Sequence, residues 1–520
     1  MATPQEKLSE ALETLEALEA LQDGGTVIIR SADLSRLHRE RLLSNGFLLR
    51  VMKGWYIPSR PGEAAGDSTT WYTAFWPFCS AYLQERFEDE WCLSPEQSLA
   101  LHAGNQTVPR QLVVRAPKGG NKLNALPFGT SLFDIRASLP AKRNVVDKGG
   151  LRLYALPVAM IEASPAFFLH HAIDARVALA SLQDASEILG LLLEGGHTVI
   201  AGRLAGAFRN IGRDRIADDI LGAMRAAGYD SREKDPFEKR LSLRLPRREP
   251  SPYAGRIRLM WSDMRERIIE CFPESLGKPD DIEDYLKRVD DAYVTDAYHS
   301  LSIEGYRVSP ALIERVRRGD WNPETDEQDR EHRDALAARG YWLAYQEVLK
   351  SLGTVLNGAS AGTVADNDHG VWYRALFAPG VTAGLLRRAD LAGYREGSVF
   401  IRRSMHMPPS SKAVRDAMPI FFELQAEETD PAVRVVLEHF IFVHIHPYTD
   451  GNGRMGRFLM NLMLGEGGYP WTVVPVERRA EYMAALEEAS SRRNIARFAN
   501  MVGELVRIAM DGKQQDRLPA

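Results

Sequence analysis

With 520 residues, 45% of them hydrophobic and 26% charged, the chain has the make-up of an ordinary globular protein, long enough for roughly two to four domains. A formal net charge of −5 and a pI near 6.2 exclude any bulk attraction to nucleic acid or membrane, so such a surface must be local. Three widely spaced cysteines, Cys79, Cys92 and Cys271, argue against a disulfide framework or a cysteine-rich zinc site and for a reducing, cytoplasmic setting.

The first residues, "MATPQEKLSEALETLEALEALQDGG", space leucines helically but set glutamates between them, so they lack the apolar core of a signal peptide. No apolar run reaches bilayer length: "ILGLLLEGGHTVIAG" is broken by Glu194 and two glycines, and no membrane partner is expected. Next come a strand in "TVIIR" and a helix in "SADLSRLHRERLLSNG", capped by Ser31 or Asp33 and ended by Asn45-Gly46. "FLLRVMKGWYIP" then reads as a hairpin turning at Lys53-Gly54. This order is that of a winged helix, in which Arg36, His38, Arg39, Arg41, Arg50 and Lys53 could offer DNA phosphates a positive face. A packing or dimerising module with solvated arginines fits the same order. "LLSNGFLLRVMKGWYIPSRP", followed by "LSPEQSLALHAGNQTVPRQLVVRAPK", resembles the N-terminal part of AbiE-type antitoxin regulators over about residues 25–175, which implies a regulatory module.

Residues 176–230 are expected to be helical, and "SREKDPFEKRLSLRLPRREPSPY" reads as a linker. From about residue 254 to 510 the pattern is almost wholly helical. The expected organisation is a winged helix (1–62), a small α+β domain (63–175), a helical segment and linker (176–250) and a helical domain (251–512), mainly α as a whole.

The densest chemistry lies in "HIHPYTDGNGRMGRF", residues 444–458. Asp430-Pro431 starts a helix, "AVRVVLEHFIFVHI" is apolar nearly all round, and His446 falls at the mouth of the following loop. A second helix is expected after Gly453. Asp450-Gly451-Asn452-Gly453 then sits before a helix N-terminus, where curled backbone amides make an anion nest suited to phosphate. Arg454 and Arg457, three apart, share a helix face and can hold further phosphate oxygens, while Asp450 is the hard ligand that a phosphate-bound Mg²⁺ prefers. His446 is placed to accept the proton of an attacking hydroxyl.

"HPYTDGNGRMGR" resembles the signature of Fic domains, with Tyr448 where phenylalanine is usual and its ring expected to pack inward. The resemblance implies an all-helical domain with a β-hairpin flap that transfers AMP from ATP to a hydroxyl side chain of a target protein, or of the chain itself. It implies His446 as base, Asp450 as Mg²⁺ ligand, Gly451, Asn452 and Gly453 as phosphate cradle, and Arg454 and Arg457 on the outer phosphates. Asn461 matches a loop-supporting position, although a structural helix-to-loop contact is an equal reading. In "GYREGSVFIRRSMHMPP" it implies a flap at Val399, Phe400 and Ile401 that pairs with the target backbone. It also puts Tyr482, Met483 and Ser490 near adenine, with asparagine in some relatives where Ser490 stands.

"YHSLSIEGYRVSP" adds a regulatory element. Gly305 should end a helix, which leaves the Glu304 carboxylate in a last turn where the helix dipole disfavours it, so it wants a cation. The segment resembles the Fic inhibitory motif, with Ser300, Glu304 and Gly305 in the matching places on a helix around 291–305. The implied partner is Arg457, withheld from the γ-phosphate. One rival is a metal-dependent hydrolase using His439, His444, His446 and Asp450, although no histidine follows His446 as such sites usually need. Others are a DNA-binding regulator with an inactive Fic fold, and a Fic enzyme that uses another nucleotide or removes AMP. Fic proteins and winged helices both often self-associate, so a homodimer is a further expectation.

Overall fold

The computed structural model describes residues 4–23, 26–61, 67–239, 251–320, 333–512 and 518. Its chain divides into two compact units, residues 1–248 with 400–407, and residues 249–399 with 408–520.

In the first unit, α1 (Pro4–Asp23) leads to β1 (Ile29–Arg30), α2 (Arg36–Ser44), β2 (Leu48–Met52) and β3 (Trp55–Pro58). The three strands form an antiparallel sheet in the order β1-β3-β2. The N-cap of α2 is Ser35, whose Oγ accepts from His38 N at 3.1 Å, and not Ser31 or Asp33. Asp33 instead accepts from the Arg30 amide at 2.8 Å, which spends it on the preceding turn.

α3 (Thr69–Phe87), β4 (Cys92–Leu93), α4 (Pro95–His102), β5 (Gln111–Ala116), β6 (Lys122–Ala125), β7 (Ser131–Arg136), β8 (Val145–Lys148) and β9 (Leu151–Tyr154) follow. The second sheet runs β4-β5-β7-β6, with β5 and β7 parallel, and β8 pairs with β9 alone. Trp55 and Ile57 of the hairpin bury one apolar cluster with Trp71, Phe75 and Phe78 of α3 and Leu112 and Val114 of β5. Met405 and Met407 pack against that cluster from the 400–407 excursion. Helices α5 (Leu156–Glu162), α6 (Pro165–His170), α7 (Ala172–Ala180), α8 (Ser186–Glu194), α9 (Thr198–Asn210) and α10 (Asp214–Ala226) complete the unit. The expected linker lies partly outside the described residues.

The second unit contains no strand among its described residues. It comprises α11 (Pro252–Cys271), α12 (Ile282–Asp291), α13 (Tyr293–Ile303), α14 (Pro310–Arg318), α15 (Arg333–Leu356), α16 (Ala361–Thr382), α17 (Ser411–Glu427), α18 (Pro431–Ile445), α19 (Asn452–Glu466), α20 (Arg479–Arg492) and α21 (Ala496–Met510). The chain is therefore mainly α. At the start of α18, Asp430 accepts from Ala432 N at 2.9 Å and Val433 N at 3.1 Å, and Pro431 occupies the first helical position, as its missing N–H allows. α18 is buried on nearly every face, including Val433, Val436, Leu437, Phe440 and Ile441, so it is the central rod of the unit. No helix among the described residues is long and apolar enough to cross a membrane.

The expected flap hairpin is not a paired hairpin. Residues 394–410 carry no strand, and the chain reverses at Arg402-Arg403, where Ser404 N donates to Ile401 O at 3.1 Å and Arg403 adopts φ +60°. The backbone groups that a ladder would need are used otherwise: Arg403 N donates to Thr69 Oγ1 at 2.9 Å, and Met405 O accepts from Val108 N at 2.9 Å. Arg402 Nε also meets the buried Asp67 carboxylate at 2.9 Å. Val399 and Ile401 are half-buried, while Phe400 is 41% exposed.

Candidate active site

The site is built where α18 hands over to α19. His446 ends α18 in a left-handed conformation, φ 54° and ψ 59°, so its side chain leaves the helix line at the loop mouth. Its Nδ1 lies 3.2 Å from Val443 O, which assigns the proton to Nδ1 and leaves the Nε2 lone pair available. Burial lowers its pKa to about 4, and the Arg395 charge adds to the shift, so the imidazole is neutral near pH 7.

The loop beyond is braced by one amide. Asn452 Oδ1 accepts from Tyr448 N, and its Nδ2 donates to Tyr448 O, both at 2.9 Å. Because Asn452 closes the loop on itself in this way, α19 begins at Asn452, earlier than expected from the position of Gly453. Gly451 supplies φ +80°, and a Cβ there would meet the Phe377 ring at 2.8 Å, two independent demands for glycine. The Tyr448 ring packs inward as expected, stacked on Tyr373 at 3.8 Å between centroids.

Arg454 and Arg457 do not make a shared open face. Arg454 is 1% exposed, its guanidinium held between the Tyr306 ring at 5.2 Å and the Phe377 ring at 5.0 Å, and it reaches Asp450 Oδ2 at 3.3 Å. The Asp450 side chain is 64% exposed and receives the Gly451 amide at 2.6 Å. Arg457 turns to α13: Nε donates to Ser300 Oγ at 2.8 Å, and Nη2 to Ser300 O at 3.0 Å and to Glu304 Oε1 at 2.7 Å. The two arginines diverge because aromatic rings hold one and a helix end holds the other.

α13 stops as its sequence requires. Gly305 takes φ +90°, its N–H bonds Ser302 O at 3.0 Å, and Tyr306 N bonds Leu301 O at 3.1 Å, the two bonds of a Schellman end. Arg479 Nε further caps Ile303 O at 2.6 Å. Glu304, the cap residue, is thereby aimed at α19. Burial raises its pKa, but Arg457 and Arg454 more than offset that, and the carboxylate is held below its usual range. A Cβ placed on Gly453 would stand 2.3 Å from Glu304 Oε1, so the carboxylate lies directly against the loop expected to cradle phosphate.

Beneath Arg457 a polar chain continues inward. Arg457 Nη1 is 3.5 Å from Tyr482 OH, which lies 2.7 Å from His439 Nε2. Burial lowers the His439 pKa to about 3. Tyr482 is 1% exposed and its hydroxyl is committed to this chain, so it underlies the site, whereas Met483 and Ser490 are half-buried. Asn461 makes a helix-to-loop contact, bonding Thr472 through both ends of its amide at 2.8 and 3.1 Å. His439 and His444 are buried core residues, and no three His, Cys, Asp or Glu among the described residues are grouped to hold a metal ion.

Sequence reasoning passes over Arg395 and Asp296. Arg395 is 3% exposed and bonds the His446 carbonyl through Nε at 2.8 Å. Asp296, one turn before Ser300, is fully enclosed with Tyr341 OH at 2.6 Å, and burial raises its pKa to about 6. A lone charged residue in an apolar helix face is the available signal for Asp296. Arg395 has none, because its partners are carbonyls that no spacing reveals.

Comparison with known proteins bears on the sequence that carries this site. Residues 372–464, which include α18, the loop and most of α19, match the family described as "Fic/DOC family". The "Protein adenylyltransferase Fic" of Nematostella vectensis is 25% identical over 239 residues, 45% of this chain and 52% of the relative. "Protein adenylyltransferase fic-1" of Caenorhabditis elegans is 48% identical over 61 residues, 12% of each chain. A solved structure of Fic-1 from C. elegans covers 69% of this chain and 97% of its own at 18% identity, with a TM-score of 0.37. The chain spans about half the length of the curated relatives it matches most extensively. The matched sequence marks residues 372–464 as a Fic/DOC domain within the chain.

Proposed function

We propose that the chain is a protein adenylyltransferase held in check by Glu304. The observation that carries this reading is the Glu304 carboxylate, 2.7 Å from Arg457 and lying against Gly453, in the place an anionic phosphate would take. ATP is the proposed donor. The hydroxyl oxygen of a target side chain attacks the α-phosphorus while His446 Nε2 takes its proton; the bond from that phosphorus to the pyrophosphate oxygen breaks, leaving AMP on the target. The amides of Gly451, Asn452 and Gly453 and the α19 N-terminus hold phosphate oxygens, with Arg454 nearby and Arg457 available once Glu304 withdraws. The exposed Asp450 oxygens fit Mg²⁺, which takes one or two carboxylates and completes its shell with substrate phosphates and water; when bound it would offset phosphate charge. Met483 and Ser490 are the proposed adenine neighbours, and the target backbone is proposed to lie along Val399, Phe400 and Ile401.

The rest of the proposal concerns setting. The arrangement α1-β1-α2-β2-β3 supports a winged helix within residues 1–62, β4–β9 with their helices support an α+β domain within 63–175, and α7–α10 support the helical part of a helical segment and linker over 176–250. DNA binding there rests mainly on the exposed Arg50 and Lys53, since Arg36 pairs with Glu40 and Arg41 with Glu10. The three free cysteines favour a reducing cytoplasm, and homodimerisation is a further proposal. The test is incubation of wild type, Glu304→Gly and His446→Ala with Mg²⁺ and ATP labelled at the α-phosphate. Protein-bound label is expected to rise in Glu304→Gly and vanish in His446→Ala; no label from any variant with any nucleotide would overturn the reading.

A further inference from the structure

Arg395 is a buried guanidinium with no acidic partner among the described residues. All three of its nitrogens serve neutral carbonyls: Nε to His446 O at 2.8 Å, Nη1 to Gly397 O at 3.0 Å, and Nη2 to Pro409 O. Its own amide donates to Pro447 O at 2.9 Å. Burial alone pulls its pKa down to about 10, the mark of a charge enclosed without compensation. Such a group is costly to keep if its only task is to satisfy three carbonyls.

The identity of those carbonyls gives it another task. Gly397 and Pro409 bracket the segment carrying Val399, Phe400 and Ile401, while His446 and Pro447 are the base and the residue after it. His446 also holds a left-handed backbone that a histidine adopts at a cost and that needs fixing from outside.

We propose that Arg395 is a positioning residue that references both roots of the target-docking segment to the backbone of His446, fixing the distance from acceptor hydroxyl to base. This rests on the adenylyltransferase reading. The planar fork is what makes it specific, because three divergent N–H directions span three separate stretches of chain, and a lysine ammonium cannot reproduce them. Displacement of reacting groups by about 1 Å costs on the order of 10²-fold in rate, while ATP itself is held by the α19 loop and not by Arg395.

The test uses the full chain with Glu304→Gly as parent, adding Arg395→Lys or Arg395→Gln and measuring ATP affinity by calorimetry and AMP transfer at saturating ATP. Transfer is expected to fall about 10–100-fold in both, with ATP affinity within about two-fold of the parent. Unchanged transfer, or ATP affinity lost in proportion to rate, overturns the proposal and leaves Arg395 a structural residue. Hydrogen exchange on the same proteins without nucleotide stands apart from the reaction. Faster exchange is expected jointly over residues 396–410 and 446–450, with 431–442 unaltered. No change in either stretch also overturns the proposal, even if the parent transfers no AMP.

Discussion

Replacing Glu304 with glycine removes the carboxylate that stands against the proposed phosphate loop, and the size of the effect follows from one contact. Arg457 Nη2 donates to Glu304 Oε1 at 2.7 Å, with side chains 4% and 25% exposed, so the bond is charge-assisted and largely shielded from water. A hydrogen bond between charged partners contributes ~1.5–3 kcal/mol, and at 1.4 kcal/mol per decade its loss frees Arg457 by ~10–140-fold. Glycine is well tolerated at a helix end, so α13 should survive the change. Protein-bound label from ATP labelled at the α-phosphate should therefore rise by that factor in Glu304→Gly. In Glu304→Gln a neutral bond of ~0.5–1.5 kcal/mol survives, so its rise should fall short of the glycine variant by ~2–12-fold. Equal labelling in wild type and both variants would refute the reasoning, since the arginine would then have no bearing on phosphate binding.

His446→Ala in the Glu304→Gly background should lower transfer by ~10²-fold or more at unchanged ATP affinity, measured by initial rates and calorimetry. Because the His446 pKa is lowered to about 4, the rate should hold as pH falls from neutral and drop only on approach to that value, where the imidazole becomes protonated and cannot accept. A limb near the ordinary imidazole value would contradict the burial. The His439 pKa of about 3 has a stability counterpart: between the unfolded value of ~6.5 and the folded one, the unfolded chain takes up a proton that the native chain refuses, so stability falls as acid is added. Urea midpoints should fall less from neutral to about pH 5 in His439→Phe than in wild type. Glu438 is fully buried in α18 with neither carboxyl oxygen bonded among the described residues, and burial drives its pKa well above the usual range. Glu438→Met should raise stability by ~1–3 kcal/mol, read from the urea midpoint.

The parts of this molecule legible in its sequence are those whose partners are close along the chain. Asp430-Pro431 announced α18 and Gly305 announced the end of α13, because each acts on backbone within a few residues. The start of α19 was misplaced because the Asn452 amide folds back on Tyr448, a closure that composition does not signal. The paired hairpin is absent for a different reason: "SVFIRRSMHM" has strand propensity, but its amides and carbonyls found Thr69 and Val108, residues about three hundred positions away in the other half of the sequence. Likewise the parallel reach of Arg454 and Arg457 holds for an isolated helix, and is overridden once Tyr306 and Phe377 enclose one guanidinium and Ser300 and Glu304 claim the other. Spacing names the groups; tertiary neighbours decide where they point.

The bare Cα of Gly453 carries a consequence for how such a chain can change. The Glu304 carboxylate lies against Gly453, where the proposed phosphate would also lie, so a side chain at 453 would crowd both. On the proposed reading, a substitution at Gly453 would disturb the restraint and phosphate binding together. By the same proposed reading, the level of restraint is adjustable apart from the loop at Glu304 and at the Arg479 cap on Ile303. Control and catalysis would then share a surface but not a set of adjustable parts, leaving the level of restraint free to drift while the reaction site stays fixed.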